Sequence, residues 1–264
     1  MRRILAILLL LLPFLCSNEQ NFHIRVRLME LQHAAIDDAV RIVHISDLHG
    51  LNWGDDNAKL VSLIELHEPD LICVTGDMFT RGDPYGERIA ERLLKQLCGI
   101  CPVFFVPGEH DRSETFLRQI TADRAIIPDA EGVSLTVDGT QLRIQGYSAA
   151  YFPPDAHSPA EYAMESDDEF QLLLCHIPVP HLFSASGVDL MLSGDTHGGI
   201  IRLPLLGAVR YNDQWFPELH AGNAFLRGQY TVNGMILHVT SGLGGTPLRL
   251  CNPPEICVIT LLPQ

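Results

Sequence analysis

Five short apolar runs, each followed by acidic or histidine residues, constrain the fold of this 264-residue chain more than any other feature. Each run has roughly the four to eight residues of a buried strand. Because neighbouring strands deliver their ends to a common rim of a sheet, we expect the five polar ends to lie close together. These ends are Asp47-Leu48-His49, Gly76-Asp77, Gly108-Glu109-His110-Asp111, Cys175-His176 and Gly194-Asp195-Thr196-His197.

The residue types at these ends are typical of a metal site. Carboxylate oxygens and imidazole nitrogens are the usual protein ligands of divalent ions. A pair of ions about 3.5–4 Å apart needs ligands from several loops and one carboxylate that touches both ions. A single Asp or His at a strand end is usually a turn or cap residue. The complete set, in this order, favours a metal site.

The order of the motifs resembles that of the calcineurin-like metallophosphoesterases, which carry Asp-x-His, Gly-Asp, Gly-Asn-His-Asp, His and Gly-His-x-His. The resemblance covers about residues 24–262, nearly the whole chain. Residues 198–208, 241–250 and 253–256 look like those of the YkuE-like, membrane-associated branch. Two positions depart from the family pattern. Glu109 stands where the family has Asn, and Asp195 stands where it has the first His of the last motif.

The resemblance implies a set of metal ligands and an α/β fold. The fold would be two packed mixed β-sheets flanked by helices, the αββα sandwich, with the site at their common rim. Two divalent ions would hold a shared, acidified water that attacks phosphorus. One ion would be bound by Asp47, His49 and His197, the other by Glu109, His176 and Asp195, and both by the bridging Asp77.

The resemblance also implies two catalytic residues beside the ligands. His110 would donate a proton to the leaving oxygen, and Asp111 would orient the imidazole of His110 and favour its protonated form. Asp111 fits a second interpretation as well, an aspartate at the N-terminus of a helix that starts near Ser113.

The two departures from the pattern change the charge of the site. Four inner carboxylates (Asp47, Asp77, Glu109 and Asp195) give −4 against the +4 of two divalent ions, whereas the family pattern gives −2. Such a site should suit hard cations better than a nitrogen-rich one. We therefore expect Mn²⁺ first, with Mg²⁺, Fe or Zn²⁺ as alternatives.

The overall charge restricts the partners. A formal charge of −14 and a pI near 5.2 argue against a nucleic-acid surface, because binding of a nucleic-acid backbone needs Lys and Arg. We expect a small or lipid-linked phosphate substrate instead. Arg249 could face such an anion, or lie in a strand or loop as an ordinary surface residue.

The N-terminus has the shape of a secretory leader. Met1-Arg2-Arg3 precedes an apolar run of twelve residues, 4–15, which is short of the roughly 20 residues of a membrane span. The sequence does not decide between a cleaved leader and a retained anchor. We assign residues 1–22 to this segment and residues 23–264 to one metallophosphoesterase domain, either membrane-associated or exported.

The body of the chain first alternates strand and helix signals. Strands are predicted at residues 41–46, 71–75 and 103–106, with helices near 60–67 and 89–97. The second half predicts a hairpin around Asp138-Gly139, a helix from Ser158, and further strands. These further strands are residues 170–175, 189–192, 235–239 and 256–261.

Two functions remain open from the sequence alone. The first is a metal-dependent phosphohydrolase that cleaves a phosphomonoester, phosphodiester or pyrophosphate bond, with a substrate that is lipid-linked by analogy with the branch. The second is a catalytically weakened member of the fold that binds metal or phosphate. Glu109 and Asp195 are the reason for the second hypothesis.

Overall fold

The structure is a computed structural model that describes residues 23–148, 168–183, 185–220, 224–245 and 248–264. Its strands form two large mixed sheets flanked by helices, which confirms the predicted fold class. The described α-helices are α1 (Ala58–Glu65), α2 (Pro84–Leu97) and α3 (Glu114–Ala122). The helix predicted from Ser158 lies outside the described residues.

Every strand predicted above lies within two residues of its expected position, whereas the strand of residues 228–232 and four short strands carry no prediction. These short strands, β9 to β12, lie between residues 202 and 215. In chain order the strands are β1 (Arg25–His33), β2 (Val40–Ile45), β3 (Leu71–Val74), β4 (Val103–Phe105), β5 (Val133–Val137), β6 (Thr140–Tyr147), β7 (Phe170–Cys175), β8 (Leu190–Ser193), β9 (Arg202–Leu203), β10 (Gly207–Ala208), β11 (Arg210–Tyr211), β12 (Gln214–Trp215), β13 (Gly228–Val232), β14 (Met235–Val239) and β15 (Glu255–Pro263).

The first sheet has the order β1-β15-β2-β3-β4. Strands β2, β3 and β4 run parallel, and β15 lies between β1 and β2, antiparallel to β2. The side chains of β2 alternate between the two faces, as the period of a strand requires. Val43 and Ile45 pack with the three helices, whereas Ile42 packs in the core between the sheets.

The second sheet has the order β13-β14-β8-β7-β6-β5. Its four central strands are parallel, and the edge strands β5 and β13 are antiparallel to their neighbours. Leu172 and Leu190 face the first sheet, while Leu173 and Met191 face outward and pack with Phe225. The β5–β6 hairpin turns at Asp138-Gly139 with positive φ at both residues, as the sequence predicts.

The fold places each predicted site segment just after a strand. Strands β2, β3 and β4 of the first sheet precede Asp47, Asp77 and Gly108, and β7 and β8 of the second precede His176 and Gly194. Among the described helices, none combines the length and the hydropathy needed to cross a bilayer. Residues 1–22, the predicted leader or anchor, are outside the described part of the chain.

Candidate metal centre

The backbone at the site is held in an uncommon conformation. Five of the seven predicted metal ligands have left-handed φ angles, which for non-glycine residues cost about 1–3 kcal/mol each and cluster at functional sites. Asp and His adopt this conformation more readily than most residues. The five angles are 52° at Asp47, 49° at His49, 52° at Asp77, 68° at Asp195 and 48° at His197.

Two glycines lie directly against the ligands, which explains why each precedes a site residue. A Cβ atom on Gly108 would stand 2.2 Å from Oδ1 of Asp77, and one on Gly194 would stand 2.4 Å from Oδ2 of Asp47. No side chain fits at such distances. The loops can therefore pack close enough for the carboxylates to converge.

The first predicted ligand set is brought together. Asp47, His49 and His197 offer ligand atoms that all lie within 4.8 Å of one another. Nδ1 of His49 contacts Oγ1 of Thr80 at 3.2 Å, and this contact leaves Nε2 for the site. That Nε2 is buried and has no hydrogen-bond partner among the described residues. A buried nitrogen of this kind fits a metal ligand.

Asp77 lies between the two ligand sets. Its Oδ2 atom is 3.7 Å from Nε2 of His49 and 3.4 Å from Nε2 of His176. The backbone N–H of His110 donates to its Oδ1 at 2.9 Å. This position is the one that a carboxylate shared by two ions would need.

His176 is oriented from behind by the first sheet. Its Nδ1 contacts the carbonyl of Thr75, and Nε2 then faces Asp77. Oγ1 of Thr75 is in turn 2.8 Å from Nε2 of His44, whose Nδ1 is 3.3 Å from Nδ1 of His238 on the second sheet. Burial lowers the pKa of both His44 and His238, so this pair is neutral and structural. A chain of polar contacts thus joins the two sheets below the site.

Asp195 reaches the second ligand set with help from a residue that the sequence reasoning missed. Its Oδ1 is 3.8 Å from Nε2 of His176, and its backbone N–H donates to the carboxylate of Asp47. The hydroxyl of Tyr211 donates to Oδ2 at 3.2 Å. No motif marks Tyr211, because it lies on the short hairpin formed by β11 and β12.

Glu109 lies outside the compact groups of ligand atoms. Its side chain is 56% exposed, and its nearest described imidazole is that of His110, with Oε1 3.6 Å from Nε2. His110 itself reaches the site: its Nε2 is 4.0 Å from Oδ2 of Asp77, and its Nδ1 accepts a hydrogen bond from the backbone N–H of Arg81. The proton of a neutral His110 therefore sits on Nε2, facing the site.

The role expected for Asp111 is wrong. Its buried carboxylate does not contact His110 but accepts hydrogen bonds from the backbone N–H groups of Asp77, Met78 and Gly108. The alternative as a helix cap is wrong too, because Ser113 caps α3 through the N–H of Phe116. Asp111 instead fixes the loop that carries Asp77.

The histidines of the two ligand sets fall into two groups, one with a lowered pKa and one with a raised pKa. Burial lowers the pKa of His49 and of His197 to about 4, so both rings are neutral at pH 7 and can donate a lone pair. Burial alone would lower the pKa of His176, but the carboxylates of Asp77, Asp47 and Asp195 outweigh it and raise that pKa to about 10. The carboxylates therefore attract positive charge at this point, and a metal ion would supply it.

Arg249 belongs to the scaffold of the site. It is buried and donates to the carbonyls of Ser241 and Gly244, and its guanidinium lies 3.5 Å from Nδ1 of His197. Arg249 therefore lies in a loop, as one of the two interpretations predicts, but it is buried and not at the surface.

An open cleft of about 930 Å³ begins beside Asp195. Phe225, Leu226 and Pro217 are buried residues of its lining, while Trp215 is 61% exposed. Asp195 and Tyr211 are among the polar residues of its lining.

Comparison with known proteins places the motifs in a family. The family model described as calcineurin-like phosphoesterase matches residues 40–199. The uncharacterized metallophosphoesterase YkuE of Bacillus subtilis is 30% identical over 236 residues, which are 85% of this chain and 79% of that protein. An uncharacterized metallophosphoesterase of Aquifex aeolicus is 25% identical over 263 residues, 93% of this chain and 94% of that protein.

Two solved structures share the fold at low sequence identity. The sulfate thiohydrolase SoxB of Thermus thermophilus has a TM-score of 0.52 at 13% identity and covers 88% of this chain. The 5'-nucleotidase precursor of Thermus thermophilus has a TM-score of 0.52 at 14% identity and covers 85% of this chain. This chain spans 57% and 54% of those two structures.

Proposed function

Because the chain belongs to the calcineurin-like phosphoesterase family, and is thus a metal-dependent hydrolase of phosphate esters, we propose that it cleaves a phosphomonoester, phosphodiester or pyrophosphate bond of a lipid-linked substrate at a membrane surface. The observation that carries the proposal is the convergence of Asp47, His49, Asp77, His176 and His197 at one rim.

The residues at the rim fit a pair of divalent ions. Asp47, His49 and His197 would hold one ion, His176 and Asp195 the other, and Asp77 both. Bound ions would supply Lewis-acid charge for the phosphate oxygens and an acidified water as nucleophile. We assign Mn²⁺ first, because the site is richer in carboxylates than the family pattern. Glu109 would join the second ion only by rotating its exposed side chain inward.

His110 is our assigned proton donor. Its Nδ1 is occupied by the N–H of Arg81, so its Nε2–H points toward the site beside Asp77. A donor in this position can protonate the leaving oxygen as the bond to phosphorus breaks. Asp111 acts indirectly, by holding the loop of Asp77.

The cleft beside Asp195 supports an apolar group on the substrate. Phe225 and Leu226 give it an apolar lining, and it opens next to Tyr211 and Asp195. The formal charge of −14 supports a small or lipid-linked phosphate over a nucleic acid. With the apolar run in residues 4–15, this leads us to propose a membrane-associated or exported protein.

A series of soluble substrates tests the proposal. Methyl, butyl and octyl esters of 4-nitrophenyl phosphate release the same 4-nitrophenol, so they differ only in the apolar group. If the cleft holds that group, kcat/KM should rise up to about fourfold for each buried methylene, from about 0.8 kcal/mol each. If none of the three is hydrolysed with Mn²⁺, Mg²⁺, Fe²⁺ or Zn²⁺, phosphodiester cleavage is contradicted. If 4-nitrophenyl phosphate and inorganic pyrophosphate are not hydrolysed either, the enzyme itself is contradicted. Equal kcat/KM values for all three esters would contradict only the claim that the cleft binds an apolar group of the substrate.

Two variants locate the apolar contact. Trp215→Ala should flatten the dependence on chain length while the methyl ester is hydrolysed at nearly the parent rate. Tyr85→Ala is the matched control, because Tyr85 is also an aromatic residue, is 61% exposed like Trp215, and is absent from the cleft lining. The control should keep the parent dependence.

A further inference from the structure

The segment of residues 200–219 carries an unusual concentration of exposed apolar side chains. Of the thirteen large apolar side chains exposed in the described part of the chain, six belong to these twenty positions. Isolated exposed apolar residues are ordinary, but a cluster marks an interaction surface. We call this segment the apolar face; its six exposed residues are Ile200, Ile201, Leu205, Leu206, Trp215 and Leu219.

The tip of the apolar face is the turn between β9 and β10. Its sequence is Pro204-Leu205-Leu206, and Leu205 is fully exposed. A folded chain in water gains nothing from a leucine held in this position. Trp215 on the neighbouring hairpin is 61% exposed, and the guanidinium of Arg210 lies over its ring at 5.8 Å. Tryptophan and arginine are favoured where lipid meets water.

The charges of the apolar face cancel within it. Arg202 pairs with Glu218 at 2.8 Å, and Arg210 pairs with Asp213. Two positive and two negative residues leave this segment neutral, so the whole formal charge of −14 lies elsewhere in the chain. A neutral face with internally paired charges avoids the repulsion that the rest of this acidic protein would meet at an anionic membrane.

Strand β1, the first described strand, begins beside Pro254, which follows part of the apolar face's groove in the chain. The backbone N–H of Arg25 at the start of β1 donates to the carbonyl of Pro254. Shortly before Pro254, Cys251 lines a groove of about 520 Å³ together with Leu205, Leu206 and Leu219, and Leu250 pairs with Ile201. Residues 250–254 therefore connect the apolar face with the start of β1, the strand that follows residues 1–22 in sequence.

We propose that the apolar face docks on a lipid bilayer, with Leu205 and Leu206 entering the boundary between headgroups and acyl chains. Buried apolar area drives binding of this kind. Trp215 lines the cleft as well as belonging to the face. Docking would therefore turn the mouth of the cleft toward the lipid, where a lipid-linked phosphate could enter without crossing water.

The two tryptophans of the chain make a direct test. Trp53 is 7% exposed in the core, and Trp215 is 61% exposed on the face. The full chain is reconstituted with vesicles of phosphatidylcholine, with or without bromine on the acyl chains, and tryptophan emission is compared. Bromine quenches indole only at short range. We expect a loss of emission in the brominated vesicles and no such loss for Trp215→Phe.

A second variant separates docking from binding of a single lipid in the cleft. Leu205→Asp with Leu206→Asp should abolish the quenching of Trp215 and slow hydrolysis of a vesicle-borne substrate. Hydrolysis of soluble 4-nitrophenyl methyl phosphate should be unchanged. Leu66→Asp is the control, since Leu66 is 75% exposed after α1 and should change nothing. Quenching that persists in the double variant would place lipid in the cleft only and overturn the docking.

The parent chain alone can also overturn the proposal. It does so if the chain floats with the vesicles but its tryptophan emission is equal with and without bromine on the acyl chains. Sedimentation then identifies the alternative occupant. A dimer that the double variant dissociates would show that a second copy covers the face. A monomer in which residues 1–22 protect Leu205 from oxidation by hydroxyl radicals, which attack aliphatic C–H bonds, would show that the N-terminal segment covers it.

Discussion

The two halves of the candidate metal centre are built differently. In the first half (Asp47, His49 and His197) the ligand atoms form one compact group, and the carboxylate is completely buried. In the second half (Glu109, His176 and Asp195) only His176 is buried, while the side chains of Asp195 and Glu109 are 25% and 56% exposed. Both departures from the family pattern lie in this more open half.

The difference shows how the site tolerates changed ligands. Asp47 and His49 are fixed by the backbone that follows β2, so their positions leave little freedom. Glu109 is longer than the family's Asn and stands further out. Asp195 is shorter than the family's His, and Tyr211 holds its carboxylate in place. We therefore expect the first half to bind its ion more tightly than the second.

The largest effect should come from the residue that belongs to both halves. Asp77→Asn removes the charge that both ions would share, and each ion supplies several kcal/mol, so turnover should fall by about 10⁴-fold or more. Steady-state rates and metal content by elemental analysis measure this. Asp138→Asn is the control, because Asp138 also has positive φ but lies in the β5–β6 turn. A retained activity above about a tenth would exclude the shared carboxylate.

Removing His110 should leave a metal ion bound in each half and slow only the cleavage step. His110→Ala should lower kcat by about 10²–10⁴-fold, the usual scale for loss of a general acid, with metal content unchanged. The loss should be smaller for nitrophenyl esters than for alkyl esters, because a good leaving group needs little protonation. Equal losses for both would assign His110 to metal binding or positioning.

Substitutions in the second half should change the affinity for only one of the two ions in a metal titration. Asp195→Ala should weaken the second Mn²⁺ by at least about 10- to 100-fold, because loss of a ligand costs no less than loss of a group that only supports one. The first Mn²⁺ should be unaffected. Glu109→Ala should have a smaller effect, because Glu109 is half exposed and outside the compact groups. Calorimetric titration resolves the two ions. Equal effects of both variants would show that Glu109 rotates inward and binds.

The restored family pattern sharpens the same comparison. Glu109→Asn with Asp195→His exchanges two carboxylates for neutral groups, so the nucleophilic water should be more acidic and product phosphate should bind more tightly. The pH optimum should shift downward, and phosphate inhibition should become stronger. If the shift is already complete in Asp195→His alone, Glu109 contributes no charge to the site.

The sequence predicts the parts of this protein that local patterns determine. Apolar runs gave β2, β3, β7 and β8, and the polar residue after each run gave the ligand position. The insertion of β15 between β1 and β2 could not be read from the sequence, because more than 200 residues separate the paired strands. Long-range pairing depends on the packed core and not on a local signal.

The errors at the site have a similar origin. Asp111 follows His110 directly, which suggested contact between their side chains. Its carboxylate instead accepts from the N–H groups of Asp77 and Met78 in another loop and from that of Gly108 in its own. The carbonyl of Thr75 that orients His176 carries no sequence signal, since every residue has a carbonyl. Contacts made by the backbone, and the side-chain contact of Tyr211 from a short hairpin, were thus the ones that the sequence could not assign.

The smallest expected effect concerns the hydroxyl that supports the open half. Burial and the Asp195 carboxylate raise the pKa of Tyr211, so the hydroxyl stays protonated and can donate at any pH at which the enzyme would be assayed. Tyr211→Phe removes this one hydrogen bond, worth about 0.5–1.5 kcal/mol, so the second ion should bind about 3- to 10-fold more weakly. The first ion should be unaffected, because Tyr211 contacts neither Asp47 nor His49 by a hydrogen bond among the described residues. Tyr85→Phe, which removes an exposed hydroxyl from α2, is the matched control.

One outcome would contradict the positioning role of Tyr211. If Tyr211→Phe lowers the free energy of unfolding but leaves the affinity for the second ion unchanged, Tyr211 stabilises the hairpin and does not position Asp195. The tolerance of the open half would then have to come from the Asp195 backbone, whose N–H donates to the carboxylate of Asp47 in the first half.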